Sequence, residues 1–168
     1  PAESEQLREL DAAIGDGDLG ITITLGFQAV QEALDGLADQ NISTILMRSG
    51  MAFNRKAAST FGALYATMMM RAAREARGVE TLGTAELAAM AQAAAEGVKE
   101  RGKADVGDKT LLDALVPAAD ALQSAADEGL APAEALERAT EAAREGMEAT
   151  TEMKSKMGRA SWFADRTE

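Results

Sequence analysis

Apolar residues recur at helical spacing along almost the whole chain, and convincing strand alternation appears nowhere. That periodicity predicts a string of amphipathic helices with short breaks. Residues 5–14 carry Leu7, Leu10 and Ile14 on one face and run into a glycine-rich loop. A second helix is expected over about 22–37, with Ile23, Phe27, Val30 and Leu34 facing the core. Ser43 reads as the N-cap of a third, over 43–57. Residues 61–77 read as a largely buried helix in which Met68, Met69 and Met70 fill the core. Arg71, in that apolar setting, reads as a paired structural charge. Thr84 opens a fifth helix lasting to about 101, and Thr110 with Asp113 resembles a capping box opening the next, to about 127. Pro117 lies inside that pattern, where it kinks the helix or sits where no amide donor is needed. Gly129 and Pro132 then separate it from a helix reaching about 157. An Ala-rich composition with 4% aromatics and three prolines agrees. The fold class is all-α, an antiparallel up-and-down bundle or barrel with about seven readable helices, and residues 1–168 form one domain.

Three carboxylates, Asp11, Asp16 and Asp18, fall within eight residues around Gly15, Gly17 and Gly20. Carboxylates this close repel, and a hard divalent cation with oxygen ligands relieves the repulsion. The glycines let the backbone turn sharply and let a bulky anion approach it. Asp-Gly pairs are also ordinary turn formers and Asp an ordinary N-cap, so this stretch alone leaves turn and metal site both open. A calcium loop is excluded, because counting Asp16 as first ligand puts Phe27 where the bidentate Glu belongs.

Two absences narrow the chemistry. Without cysteine there is no disulfide framework, thiol nucleophile or thiolate metal site. Without histidine there is no imidazole base and no phosphohistidine. What is left is carboxylates, Arg, Lys, hydroxyls, backbone dipoles and a borrowed metal, which matches phosphoryl transfer. The net charge of −11 argues against a nucleic-acid surface, and no apolar run approaches the roughly eighteen residues of a membrane span. These features fit a cytoplasmic setting.

Two later loops add to this. Residues 102–110 come close to a phosphate-binding P-loop, but Asp108 interrupts Gly-Lys-Thr and no strand precedes it. The physics survives: a glycine-containing loop entering a helix offers free amides and a positive dipole end to an anion, and Thr110 either caps the helix or touches a ligand. Arg159, in Gly158-Arg159-Ala160-Ser161, is either a phosphate partner or a solvated helix-end charge.

Taken in order, Leu10-Asp-Ala-Ala-Ile-Gly-Asp-Gly-Asp-Leu-Gly20, Lys103-Ala-Asp-Val-Gly-Asp-Lys-Thr-Leu-Leu-Asp113 and Gly158-Arg-Ala-Ser161 resemble the nucleotide-binding (L) subunit of the dihydroxyacetone kinase family, with weaker support from Leu64-Tyr65 and Arg71-Ala-Ala73. The similarity covers essentially the whole chain. It implies an eight-helix antiparallel barrel that binds ADP or ATP at one end. It further implies that Asp11, Asp16 and Asp18 hold two Mg2+ ions bridging the nucleotide phosphates. Leu19, Gly20, Ile21, Thr22, Ser59, Thr60, Gly102, Thr110, Leu111 and Arg159 would line the nucleotide. A separate K-type subunit binds the small ketose, often through a histidine this chain lacks, and the phosphoryl donor is either free ATP or a phosphohistidine protein of the sugar phosphotransferase system.

The chain departs from the family pattern at three places. Leu19 replaces the usual histidine of Asp-His-Gly. Ala57-Ala-Ser-Thr-Phe-Gly62 stands where the family has a Gly-Gly-(Ala/Ser)-Ser-Gly loop, with Phe61 falling on its serine. The sequence stops at Glu168, before the family's expected Asp-Pro-Gly segment and last helix. Leu19 and Phe61 favour an alternative reading, a non-catalytic regulatory or adaptor relative.

Overall fold

The protein is described by a computed structural model covering residues 3–166, within which the side chains of Arg159, Phe163, Ala164 and Arg166 lie outside the description. It contains seven α-helices and, among the described residues, no strand. These are α1 (Ser4–Ala12), α2 (Leu19–Leu34), α3 (Ile42–Lys56), α4 (Thr60–Glu75), α5 (Thr84–Gly102), α6 (Leu112–Asp127) and α7 (Pro132–Ala149), followed by 3-10 segments Thr150–Glu152 and Arg159–Arg166. Each helix packs chiefly on its neighbours in sequence. With short connections, that order alternates the helix direction. The loops 13–18, 57–59 and 103–111 and the segment after α7 therefore gather at one end. No described helix is long and apolar enough to cross a membrane.

Local chemistry sets the boundaries. Asn41, not Ser43, caps α3: its Oδ1 accepts from the Thr44 amide at 2.8 Å. Ser43 sits in the first turn and donates to the Ala73 carbonyl at 2.6 Å, tying α3 to α4. Ser59 caps α4 through the Gly62 amide at 3.0 Å. After α6 the amides of Gly129 and Leu130 return to the carbonyls of Ala126 and Ala125, at 3.0 and 2.9 Å, the paired bonds of a Schellman ending. Pro117 is accommodated inside α6. It removes the amide that would bond the Asp113 carbonyl, and the α7 backbone at Gly146 packs against that carbonyl instead.

Some expectations are corrected. The last long helix ends at Ala149 rather than near 157. There the Thr150 hydroxyl donates to the Met147 carbonyl, and the next residues are captured by other parts of the fold. The expected α2 core stripe is only half right: Val30 is buried, but Phe27 and Leu34 are 43% and 41% exposed. The reason is position, since α2 packs mainly on α1 and α3, with Phe27 also reaching Tyr65 of α4 at 5.6 Å between ring centroids. Met70 is also a surface residue, 53% exposed, whereas Met68 and Met69 are half-buried.

Alanines dominate the core and let helix backbones approach closely. Ala88, Ala125, Ala135 and Ala139 surround Leu122 between α5, α6 and α7. At the other side of the molecule Phe53 is fully enclosed, with Phe27 edge-on at 5.3 Å, Phe61 at 6.0 Å and Tyr65 at 4.4 Å. Burial raises the Tyr65 phenol pKa above its ordinary value. Because so much ring contact converges on one side chain, Phe53→Ala should destabilise the fold by about 3–5 kcal/mol. Urea unfolding followed by circular dichroism measures this.

Candidate functional site

The acidic triad is built by the α1–α2 turn. Asp11 lies in the last turn of α1, Asp16 in the loop and Asp18 immediately before α2. The amides of Ile14 and Gly15 donate to the Asp11 carbonyl, at 3.3 and 2.6 Å. Gly17, at φ +71°, then reverses the chain. The Leu19 amide donates to Asp11 Oδ2 at 3.2 Å, which folds the start of α2 back over the end of α1. A side chain at position 20 is impossible in this arrangement, since a Cβ there would lie 2.0 Å from the Ser4 carbonyl oxygen. The outcome is that one carboxylate oxygen from each of Asp11, Asp16 and Asp18 lies within 4.8 Å of the others. Asp18 occupies the capping position of α2 yet makes no capping bond, so its carboxylate is not spent on the helix amides.

A second feature forms at the same end of the array. A cavity of about 530 Å³ opens between the start of α4, the end of α5, the 103–111 loop and the segment after α7. Thr60 and Leu64 form one wall, Gly102 and Thr110 another, and Ser155 and Met157 a third. The loop is held by buried Asp113, 2% exposed, whose two oxygens accept the Gly107 and Thr110 amides, each at 2.6 Å. The Thr110 hydroxyl accepts from the Leu112 amide at 3.2 Å. Thr110 and Asp113 thus open α6 as expected, and the same bonds shape the cavity wall.

Cross-links pin the post-α7 segment to this loop. Lys109, in left-handed backbone conformation at φ 56°, donates from Nζ to the Met153 carbonyl at 3.0 Å. Lys156 donates to Asp108 twice, from Nζ to Oδ1 at 3.0 Å and from its amide to the carbonyl at 3.2 Å. The Asp105 amide, and then Lys156, hold the Asp108 carboxyl below its ordinary pKa. Lys99, and then the Val106 amide, do the same for Asp105. Asp105 in return raises the Lys99 ammonium pKa.

Of the sequence-derived residues, Thr60, Gly102 and Thr110 line the cavity. Ser59 stands beside it with its hydroxyl engaged as the α4 cap. Phe61 points the other way, into the Phe53 cluster. Leu111 is 36% exposed and outside the lining. Leu19, Gly20, Ile21 and Thr22 form the first turn of α2. There Gly20 is buried, Ile21 is 58% exposed and the Thr22 amide donates to the Asp18 carbonyl at 2.9 Å. The Arg159 side chain lies outside the described residues, while its neighbours Gly158 and Ala160 line the cavity. Sequence reasoning missed Lys109, Ser155 and Met157 as lining residues. Lys109 lay inside a motif already singled out, but nothing in the sequence marked the other two.

Fold and site together define a helical domain that presents a carboxylate triad and a loop-lined cavity at one end of an antiparallel array. The family model for the DAK2 domain matches residues 13–168, and the chain belongs to that family. It is 37% identical to the ADP-binding subunit DhaL of the PEP-dependent dihydroxyacetone kinase of Escherichia coli, over 98% of this chain and 79% of that protein. The ADP-binding subunit DhaL of PEP-dependent dihydroxyacetone kinase 2 of Listeria innocua is 35% identical, over 98% of this chain and 76% of that one. L-erythrulose 1-kinase of Mycolicibacterium smegmatis is 34% identical over 96% of this chain, which spans 28% of that larger protein.

Removing the Asp113 carboxylate leaves two amides without their acceptor. Asp113→Ala should therefore cost about 2 kcal/mol or more in urea unfolding and speed amide exchange at Gly107 and Thr110. The pH dependence has a definite sign. Asp105 and Asp108 have folded pKa values below their ordinary 3.8, so their contribution is complete above that value and is lost as pH falls through the depressed values. The double variant Asp105→Asn/Asp108→Asn should lose stability less steeply than the parent between about pH 4 and pH 2, measured by acid titration of the unfolding midpoint.

Proposed function

We propose that this chain is the ADP- or ATP-binding subunit of a dihydroxyacetone-type kinase, active only with a partner that holds the small ketose. The observation that carries the reading is the convergence of three aspartate oxygens within 4.8 Å, in a chain belonging to the DAK2 family. The names of the E. coli and Listeria relatives as ADP-binding subunits support the nucleotide and the need for partner subunits. A cavity of about 530 Å³ lies in the range of small-molecule and cofactor sites.

The donor set suits Mg2+. It offers hard oxygens only, from short side chains on a turn that bonds to its own backbone. Asp11, Asp16 and Asp18 would hold two such ions, which when bound neutralise charge on the nucleotide phosphates. The chain's own groups do the rest. The triad would orient the phosphates, Thr60 and Thr110 offer hydroxyls in the cavity, Gly102 leaves room for the ligand, and Arg159 is assigned to a phosphate oxygen by the family resemblance alone. With no histidine anywhere in the chain, covalent capture of a ketose falls to a K-type partner. Because both DhaL relatives belong to PEP-dependent enzymes, resident ADP recharged by a phosphohistidine protein is favoured over exchange with free ATP.

Thermal-shift titration tests the reading. Mg-ADP at a hundredfold excess over its Kd should stabilise the protein by about 2.7 kcal/mol, and EDTA should abolish the shift. Asp16→Ala/Asp18→Ala should remove it while leaving the helical spectrum intact. No shift in the parent protein, or an equal shift with EDTA, would favour the adaptor reading that Leu19 and Phe61 suggest.

A further inference from the structure

One face of α4 carries a second hollow beside the loop cavity. Thr60, Ala63 and Leu64 belong to the loop cavity; Thr67, Met70, Arg71 and Arg74 continue along the helix in steps of three and four, and Arg77 follows just past its end. The hollow they line holds about 420 Å³ and is completed by Ser43 and Met47 from α3 and by Arg101 from α5. Arg101 lines both spaces, so they adjoin.

The charge of this hollow is opposite to that of the molecule, which carries −11 overall. Elsewhere Arg8 pairs with Glu5, Arg138 with Glu128 and Arg144 with Glu141, while Arg48 and Arg55 stand singly; among the described residues, only here do several guanidiniums line one concave space. Within the hollow Arg71 alone is paired, with Glu100, and Arg74, Arg77 and Arg101 have no acidic partner among the described residues. The paired arginine also has a prepared seat. A Cβ at Gly97 would fall 2.4 Å from Arg71 Cγ, so the missing side chain on α5 leaves a notch that the Arg71 stem crosses to reach Glu100. Arg71 is thereby held down as part of the floor, with three uncompensated guanidiniums around it.

We propose that this hollow binds a small organic anion carrying at least two negative charges, a phosphomonoester or a polycarboxylate. Guanidinium forks match a pair of oxygens on either group, and Met47, Met70 and Ala73 offer apolar contact to a short carbon skeleton. The volume suits a metabolite rather than a helix of a partner, and the overall negative charge repels an extended polyanion such as nucleic acid.

The test uses the whole chain, freed of divalent metal by a chelating resin, with phenyl phosphate and citrate as separate calorimetric titrants. Expected is saturable one-to-one binding that rises as salt is lowered. Arg74→Gln/Arg77→Gln should bind about tenfold more weakly or worse, Arg74→Lys/Arg77→Lys should fall between, and Asp16→Asn/Asp18→Asn should bind as the parent does. Tighter binding of phenyl phosphate assigns a phosphate ester, and tighter binding of citrate a polycarboxylate. The inference fails if neither titrant saturates, if the Gln variant binds like the parent, or if the Asp variant loses binding. The Gln variant should keep its helical spectrum and its Mg-ADP thermal shift, so failure here is distinct from failure of the nucleotide reading.

Discussion

Close packing of alanine-rich helices against their sequence neighbours is the constraint on which the rest depends. Ala88, Ala119, Ala125 and Ala135 are each at most 1% exposed, and such small contacts bring backbones together along whole helix faces. Once each helix must lie against the next, direction alternates and loops divide between two ends. Separate loops carrying the three aspartates, the Thr110 turn and the Gly158 turn thereby arrive at one end without any long-range strand pairing.

The two parts of that end are electrostatically unlike. The triad concentrates negative charge on a turn tied down by backbone bonds to Asp11. The neighbouring cavity is bordered by Arg101 and Lys109, and its loop is stitched to the post-α7 segment by Lys109 and Lys156. A ligand with anionic phosphates and bound cations is complementary to both. The loop gains its shape from a carboxylate of the fold itself: Asp113 occupies two amides that would otherwise seek an acceptor in the cavity.

Much of this was legible in the chain. The helices, the capping role of Thr110 and Asp113 and the structural pairing of Arg71 all follow from local chemistry, and each is present. What was misread depended on distant partners. Ser43 has the chemistry of a cap but is used against Ala73, thirty residues away in sequence, while Asn41 caps α3. The helical pattern after Pro132 continues in sequence past Ala149, but the captured Met153 carbonyl and Lys156 end the helix. Phe61 fell on a phosphate-loop position by motif register, whereas its ring belongs to the Phe53 cluster.

The sequence by itself determined the helical class, the order of the loops and the carboxylate triad, because periodicity, turn residues and ligand type are local properties. Only the tertiary structure decided which residues of each loop meet. It brought Ser155 and Met157 into one cavity with Thr60, spent Ser59 as a cap, and gathered Arg74, Arg77 and Arg101 without acidic partners, among the described residues, around one hollow. A cavity is the space left between elements after packing, and its walls come from residues whose shared surroundings no single segment encodes.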